Sequence, residues 1–334
     1  MKAIVLSGAT SLALTAAMHA ASLSAPTTYR GMCDASAAVS LNADLFAVAN
    51  DEDNILRVYH RQPGGFPAFS FDMTSFLRIG RKSPESDIEG SAVVGDRIYW
   101  ITSHGRNARG KDRPNRERFF ATTFAVANGT AKLTPVGRPC ATLLDQFIRE
   151  PKLAPFNLAA AAQRAPKEPG ALNIEGLTST PEDHLLIGFR NPIPQGKALL
   201  VPLLNPAELI EGKPARFGDP IMLDLGGYGI RSIGRDRSTY LIIAGSHDAD
   251  GESRAYEWSG GETAPKLLAG VRFPGLNPEG LAYANEFGQT EFFIVSDDGT
   301  LQIGGVDCKR LKDPAQRRFR GYSLRPDFLP TVQP

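Results

Sequence analysis

Short apolar runs rich in Val, Ile, Phe, Tyr and Trp recur along the chain, each bounded by Asp, Asn, Ser or Gly. Five stand out: DLFAVAND, DRIYWITSH, DHLLIGFR, TYLIIAGSH and TEFFIVSDD. Residues of this kind suit a half-buried pleated surface, so each run predicts a strand. Upstream of each run lies a four-residue motif: Asp34-Ala-Ser-Ala, Asp87-Ile-Glu-Gly, Asn173-Ile-Glu-Gly, Gly229-Ile-Arg-Ser and Asn277-Pro-Glu-Gly. From the third motif residue (Ser36, Glu89, Glu175, Arg231, Glu279) to the polar residue closing the run (Asp51, His104, Arg190, His247, Asp297) the separations are 15, 15, 15, 16 and 18 residues. That length suits two short strands joined by a tight turn. ILRVYHR, ALLVPLL and RAYEW predict a third strand in several copies.

A repeating unit of three or four strands is the size of a propeller blade. The third motif residues are spaced by 53, 86, 56 and 48 residues. The chain is therefore expected to be an all-β protein, a β-propeller of five blades, with six as the alternative count. The long second interval holds ATLLDQFIRE and FNLAAAAQRA, both helix-like and separated by prolines. It predicts a helical insertion over about 138–168, between blades 2 and 3. RRFRGYSL closes the last blade. The competing architecture is a two-domain β protein in which the five copies are coincidence. In a propeller, the motif residue and the residue closing the second strand end on one face. Two polar rings would then surround one mouth of the axial channel, with the insertion leaving from the same face.

Composition narrows the classes. The chain has 334 residues, with 37 Lys+Arg against 36 Asp+Glu, so no bulk basic field points to nucleic acid or an anionic membrane. Its 33 Gly and 25 Pro favour many turns. One Lys, an apolar stretch and small residues open the chain, the pattern of a secretory signal peptide over residues 1–22. A single domain over residues 30–326, periplasmic or secreted and monomeric, is the expectation. No other stretch approaches the ~20 apolar residues of a bilayer span. Three cysteines, Cys33, Cys140 and Cys308, allow one disulfide and leave one thiol, and the pairing stays open.

The inner ring would carry Glu89, Glu175 and Glu279 with Arg231 and Ser36. Like charges converging on an axis raise one another's pKa or demand a counter-cation. Oxygen ligands answer to Ca²⁺, so Glu89, Glu175, Glu279 and Asp34 are the candidate metal ligands, with Asp87, Asn173 and Asn277 adjoining. The alternative is structural: a Glu before Gly can bond backbone amides of the next blade, or pair with Arg190 or Arg231. In the outer ring, His104 and His247 are candidate proton-transfer groups and Arg190 a candidate anion holder. Asp51 and Asp297 complete the pocket. Both histidines also fit solvated turns, and SDDGT and NDEDN fit ordinary hairpin chemistry. DADGE lacks the remaining ligands of a calcium-binding helix–loop–helix. The basic run 106–118 is interleaved with acids and reads as a solvated loop. GxSxG, HExxH, the Walker loop and a helix-opening GxGxxG are missing.

DASAAV, NDEDNILRVY, ESDIEG with HGRNARGK, NIEGL, GFRNP and RRFRGYSL together resemble a bacterial exported family described as a domain of unknown function. That family is similar to the wider group of exported propellers with an Asp-x-Glu-Gly signature, which includes the esterase-like phytases. The resemblance covers roughly residues 30–325. It implies a propeller, calcium and phosphoesterase-type activity, while Arg231 and Ser36 stand where the group would have a carboxylate. Two functions follow as expectations. One is a Ca²⁺-assisted hydrolase of phosphate or carboxylic esters at the axis. The other is a non-catalytic propeller that binds a small molecule or a cell-envelope partner at the same mouth.

Overall fold

The computed structural model describes residues 22–248, 251–286 and 289–325. The expected leader, residues 1–22, lies outside them except for its last residue, and DADGE lies partly outside. Five antiparallel sheets radiate from one axis. Blade 1 runs outward through Ala35–Ser40, Leu45–Asn50, Ile55–His60 and Phe69–Asp72. Blade 2 uses Ile88–Val94, Arg97–Thr102, Phe119–Ala127 and Thr130–Cys140. Blade 3 uses Asn173–Ser179, Leu185–Asn191, Ala198–Leu203 and Ile221–Leu223. Blade 4 uses Gly229–Asp236, Thr239–Gly245, Arg254–Trp258 and Lys266–Leu267. Blade 5 uses Pro278–Glu286, Gln289–Ser296 and Arg318–Arg325.

The ring closes by mixing the two ends of the chain. Thr27–Arg30 adds to Arg318–Arg325 as the outermost strand of blade 5, from Thr27 opposite Gly321 to Arg30 opposite Arg318. The single disulfide, Cys33–Cys308, joins the entry to blade 1 to a loop of blade 5. The leftover thiol is Cys140, half-buried beside the insertion. That insertion comprises a helix over Leu143–Arg149, a 3₁₀ segment over Pro151–Phe156 and a short helix over Leu158–Ala161. Proline at the start of the second segment and Asn157 in the left-handed conformation punctuate it.

Apolar residues fill the five inter-blade interfaces. Trp100 and Phe120 pack between blades 1 and 2, and Trp258 and Tyr240 between blades 3 and 4. Tyr29, Phe46, Tyr59, Phe293 and Phe319 form an aromatic cluster where blade 5 meets blade 1. The insertion helix inserts Phe147 against Phe189 and Phe217, sealing blades 2 and 3. Edge-to-face and offset aromatic contacts of this kind add to simple burial.

The Glu-Gly pairs have a packing reason. A Cβ on Gly176 would sit 2.8 Å from Ile230 of blade 4, and one on Gly280 would sit 2.7 Å from the Ser36 carbonyl oxygen of blade 1. The inner strands converge on the axis so tightly that only glycine fits at these crossings. No helix among the described residues is long and apolar enough to cross a membrane.

Candidate functional site

All five third-position motif residues share one backbone device. The register between the first and second strands shifts between Ala35 and Ala38, Ile88 and Gly90, Ile174 and Gly176, Ile230 and Ser232, and Pro278 and Gly280. Ser36, Glu89, Glu175, Arg231 and Glu279 therefore each occupy a β-bulge, a feature that takes a residue out of the ladder and re-aims its side chain. The sequence pattern marks the repeat but not the bulges, which depend on pairing.

The ring is a mixture of satisfied and unsatisfied groups. Ser36 donates its hydroxyl to the Ile88 carbonyl and so staples blade 1 to blade 2. Glu175 accepts from Arg190 Nη1 at 2.6 Å and from Asn173 Nδ2 at 2.8 Å through the same oxygen, Oε1. Arg190 also donates through Nε to the Ser246 carbonyl at 2.9 Å, tying blade 3 to blade 4. Glu279 accepts a short bond from Arg231 and one from Asn277 at 3.2 Å. Two of the four expected calcium ligands are thus neutralised by arginines, and the hydrogen bonds they accept come from side chains. Three atoms here are buried without a partner among the described residues: Glu175 Oε2, Arg190 Nη2 and Arg231 Nε.

Glu89 differs. No hydrogen bond or ion pair holds its carboxylate among the described residues, and its oxygen lies within 4.8 Å of oxygens of Asp51 and Asp87. Asp51 belongs to a second such trio with Asp34 and Glu52, and its Oδ1 is buried without a partner among the described residues. Burial, then the neighbouring Asp87 and Glu175, pushes Glu89 well above the usual carboxylate range. Burial, then Asp297 and Asp34, does the same to Asp51. Asp87, at a left-handed φ of 61°, accepts from Arg116 at 2.8 Å and from Ser103, yet burial still raises it to about 6.

The remaining acids grade outward from this centre. Asp34 is 4% exposed and raised to about 7 by burial, with the Lys309 ammonium 3.9 Å away opposing the rise. Asp297 accepts from Asn277 at 3.0 Å and from the Gly299 amide at 2.8 Å, and burial raises it to about 6. Asp298 is locked by both arms of Arg320, at 2.7 and 2.6 Å. Lys309 bonds Glu52 at 3.0 Å. Glu52, Lys309 and Arg116 were not singled out from sequence. Glu52 is adjacent to Asp51 and was legible in NDEDN, whereas Lys309 arrives through the loop that the disulfide anchors.

The two histidines stand apart from this cluster. His104 is buried, at a left-handed φ of 55°, with Nδ1 at 2.8 Å from the Thr102 carbonyl and Nε2 without a partner among the described residues. Burial lowers its pKa to about 4, and the charge acting on it is Arg118, not an axial carboxylate. His247 lines a cavity of about 450 Å³ with Asn191, Gly227 and the insertion residues Asn157 and Arg164. In the basic run, Arg106 donates to the Ala162 carbonyl at 2.8 Å and Arg118 to that of Leu77 at 3.0 Å, so both tie the loop down.

No curated protein matches the chain. Among solved structures, glutaminyl cyclase of Myxococcus xanthus is 12% identical, with a TM-score of 0.44 over 92% of this chain and 97% of that one. The PQQ-bound aldose sugar dehydrogenase of Streptomyces coelicolor is 10% identical, with a TM-score of 0.44 over 90% and 98%. A Trypanosoma rangeli sialidase mutant displaying trans-sialidase activity is 11% identical, with a TM-score of 0.40 over 82% and 45%. Residues 125–271 match the family model described as a protein of unknown function (DUF3616).

Proposed function

We propose that this chain is an exported propeller whose axial mouth binds a divalent cation, Ca²⁺, on Asp51, Asp87 and Glu89, with Asp34 and Glu52 at the margin. The observation that carries the reading is the pair of carboxylate trios meeting at Asp51, with Asp51 Oδ1 buried and unpartnered. Leaving such an oxygen unpaired is costly, and hard cations take carboxylate oxygens in flexible geometry. The donor set is all oxygen, which fits Ca²⁺ better than a borderline metal. The disulfide supports an oxidising compartment.

Within this reading the protein is a binding module. Glu175 and Glu279 are tied to arginines, and His104 is buried with its Nδ1 on the Thr102 carbonyl, apart from the trio, so no histidine serves the trio as a proton-transfer group. Bound Ca²⁺ would supply positive charge for an anionic ligand, and the spare Arg190 Nη2 would add a donor to it.

Thermal melts with Ca²⁺ and with EGTA test the cation directly, since a ligand of the native state raises the melting temperature by mass action. Ca²⁺ should raise it, and Glu89→Gln or Asp51→Asn should abolish the rise. No rise in the parent protein removes the reading. Ca²⁺-dependent turnover of phosphate or carboxylic esters would replace the binding module with the hydrolase.

A further inference from the structure

The opposite mouth of the channel is also built as a site. The far ends of all five inner strands line a cavity of about 460 Å³, within the range of about 300–1,000 Å³ typical of small-molecule sites. Between it and the carboxylates the axis narrows to a space of about 10 Å³ bounded by Glu89, Glu175, Leu177, Ile233 and Leu281. That is about the least volume that holds one water. A ligand in one mouth therefore does not reach the other.

The chemistry of the far mouth differs from that of the near one. Five hydroxyl side chains line its wall, Ser40, Ser91, Thr178, Ser179 and Tyr283; Ser91 donates to the Ala38 carbonyl at 3.0 Å and Ser40 accepts from Arg61. Two of its charged groups are already held by hydrogen bonds. Arg235 donates to Ser179 Oγ at 3.2 Å and to the Arg237 carbonyl, while Asp236 accepts from the Tyr283 hydroxyl at 2.5 Å. One carboxylate engaged in this way does not make a divalent-cation site, and an anion would have to displace the bonds that all three guanidinium nitrogens of Arg235 already make to Ser179 Oγ and the Arg237 carbonyl. The floor is apolar, formed by Ala38, Ile233 and Leu281. Thr178 is 4% exposed, and its hydroxyl has no partner among the described residues.

We propose that this mouth binds a neutral polyhydroxylated ligand, a mono- or disaccharide. Its ring would lie on the apolar floor, and its hydroxyls would exchange hydrogen bonds with the serine, threonine and tyrosine wall. Such a ligand matches directional donors and acceptors without requiring net charge.

Saturation-transfer NMR on the full chain with glucose, galactose, mannose, N-acetylglucosamine and trehalose tests this, each sugar at millimolar concentration. At least one should receive saturation, and Thr178→Val and Tyr283→Phe should each weaken its binding about tenfold. Melting curves identify a variant that fails to fold, and the other then decides. EGTA should leave sugar binding unchanged, so failure here is distinguishable from failure of the calcium site. The proposal falls if none of the sugars binds, if both folded variants bind as the parent does, or if EGTA abolishes binding.

Discussion

Arg231 of blade 4 reaches across to Glu279 of blade 5 and neutralises it, with both side chains buried. The one cation in the inner ring therefore serves its neighbour's carboxylate, which explains why a Glu-Gly propeller keeps an Arg at one of five equivalent bulges. Removing one member of a buried pair costs about 3–5 kcal/mol, because the other is left uncompensated. Arg231→Met should destabilise the chain by that amount. Adding Glu279→Gln should restore most of it. A double variant as unstable as the single one, in chemical denaturation, would show that the pair is not coupled.

The axial acids predict an unusual pH profile. Burial raises Asp34 to about 7 and Asp87 and Asp297 to about 6, and it pushes Glu89 and Asp51 well above the usual carboxylate range. Each keeps its proton in the folded chain after the unfolded chain, near about 4, has released it. Stability from these groups is complete below the unfolded value and is lost as pH rises through the folded one. Glu117, raised to about 7 by burial, acts in the same sense. His104 acts oppositely: its lowered pKa makes stability rise with pH between about 4 and 6.5. The clean window is thus about pH 6.5 to 8. In EGTA the melting temperature should fall across it, and Ca²⁺ should restore more at pH 8, where it competes with fewer protons. Calorimetry at stepped pH checks this, and a flat or rising profile in EGTA contradicts it.

The blades were legible because each is a local object. Alternating β-prone runs and a motif such as NIEG at a fixed offset need only neighbours in sequence, and five such units already specify a ring. The outermost strand of blade 5 was not legible. Thr27–Arg30 pairs with Arg318–Arg325 almost a full chain length away, and its own apolar pattern is weak. The candidate site divides in the same manner. Glu89, Glu175 and Glu279 could be listed from the repeat. Which of them stays unpaired depends on Arg190 and Arg231, whose reach is a matter of rotamer and bulge. His104 illustrates the limit, since a polar residue closing a strand has two sides available and burial chose the one facing Thr102 and Arg118.

The disulfide gives a second measure of ring closure. Cys33 and Cys308 are 275 residues apart, so the bond closes nearly the whole chain. Cross-links over long loops stabilise by about 2–5 kcal/mol, mainly by restricting the unfolded chain. Cys308→Ser should lose that amount and still fold, because the strand pairing of Thr27–Arg30 also shuts the ring. Denaturant titration with circular dichroism reads both outcomes. A variant with no folded baseline would mean that the strand pairing alone cannot close the propeller.

Gly280→Ala tests how the backbone positions the carboxylates. The added methyl carbon would stand 2.5 Å from Val295 Cγ2 and 2.7 Å from the Ser36 oxygen, closer than real contacts allow. Val295 can turn, but the Ser36 oxygen belongs to the backbone of blade 1, so the two inner strands must separate. Overpacking of this kind costs about 1–3 kcal/mol. It also pushes the inner strand of blade 1 away from blade 5, and with it the trio of Asp34, Asp51 and Glu52 that flanks that blade's first two strands. The variant should therefore melt lower and show a weaker Ca²⁺ response than a variant equally destabilised at an outer strand, such as Ile221→Ala. The comparison separates the two effects. Equal Ca²⁺ responses in the two variants would mean that the close approach at Gly280 serves packing alone.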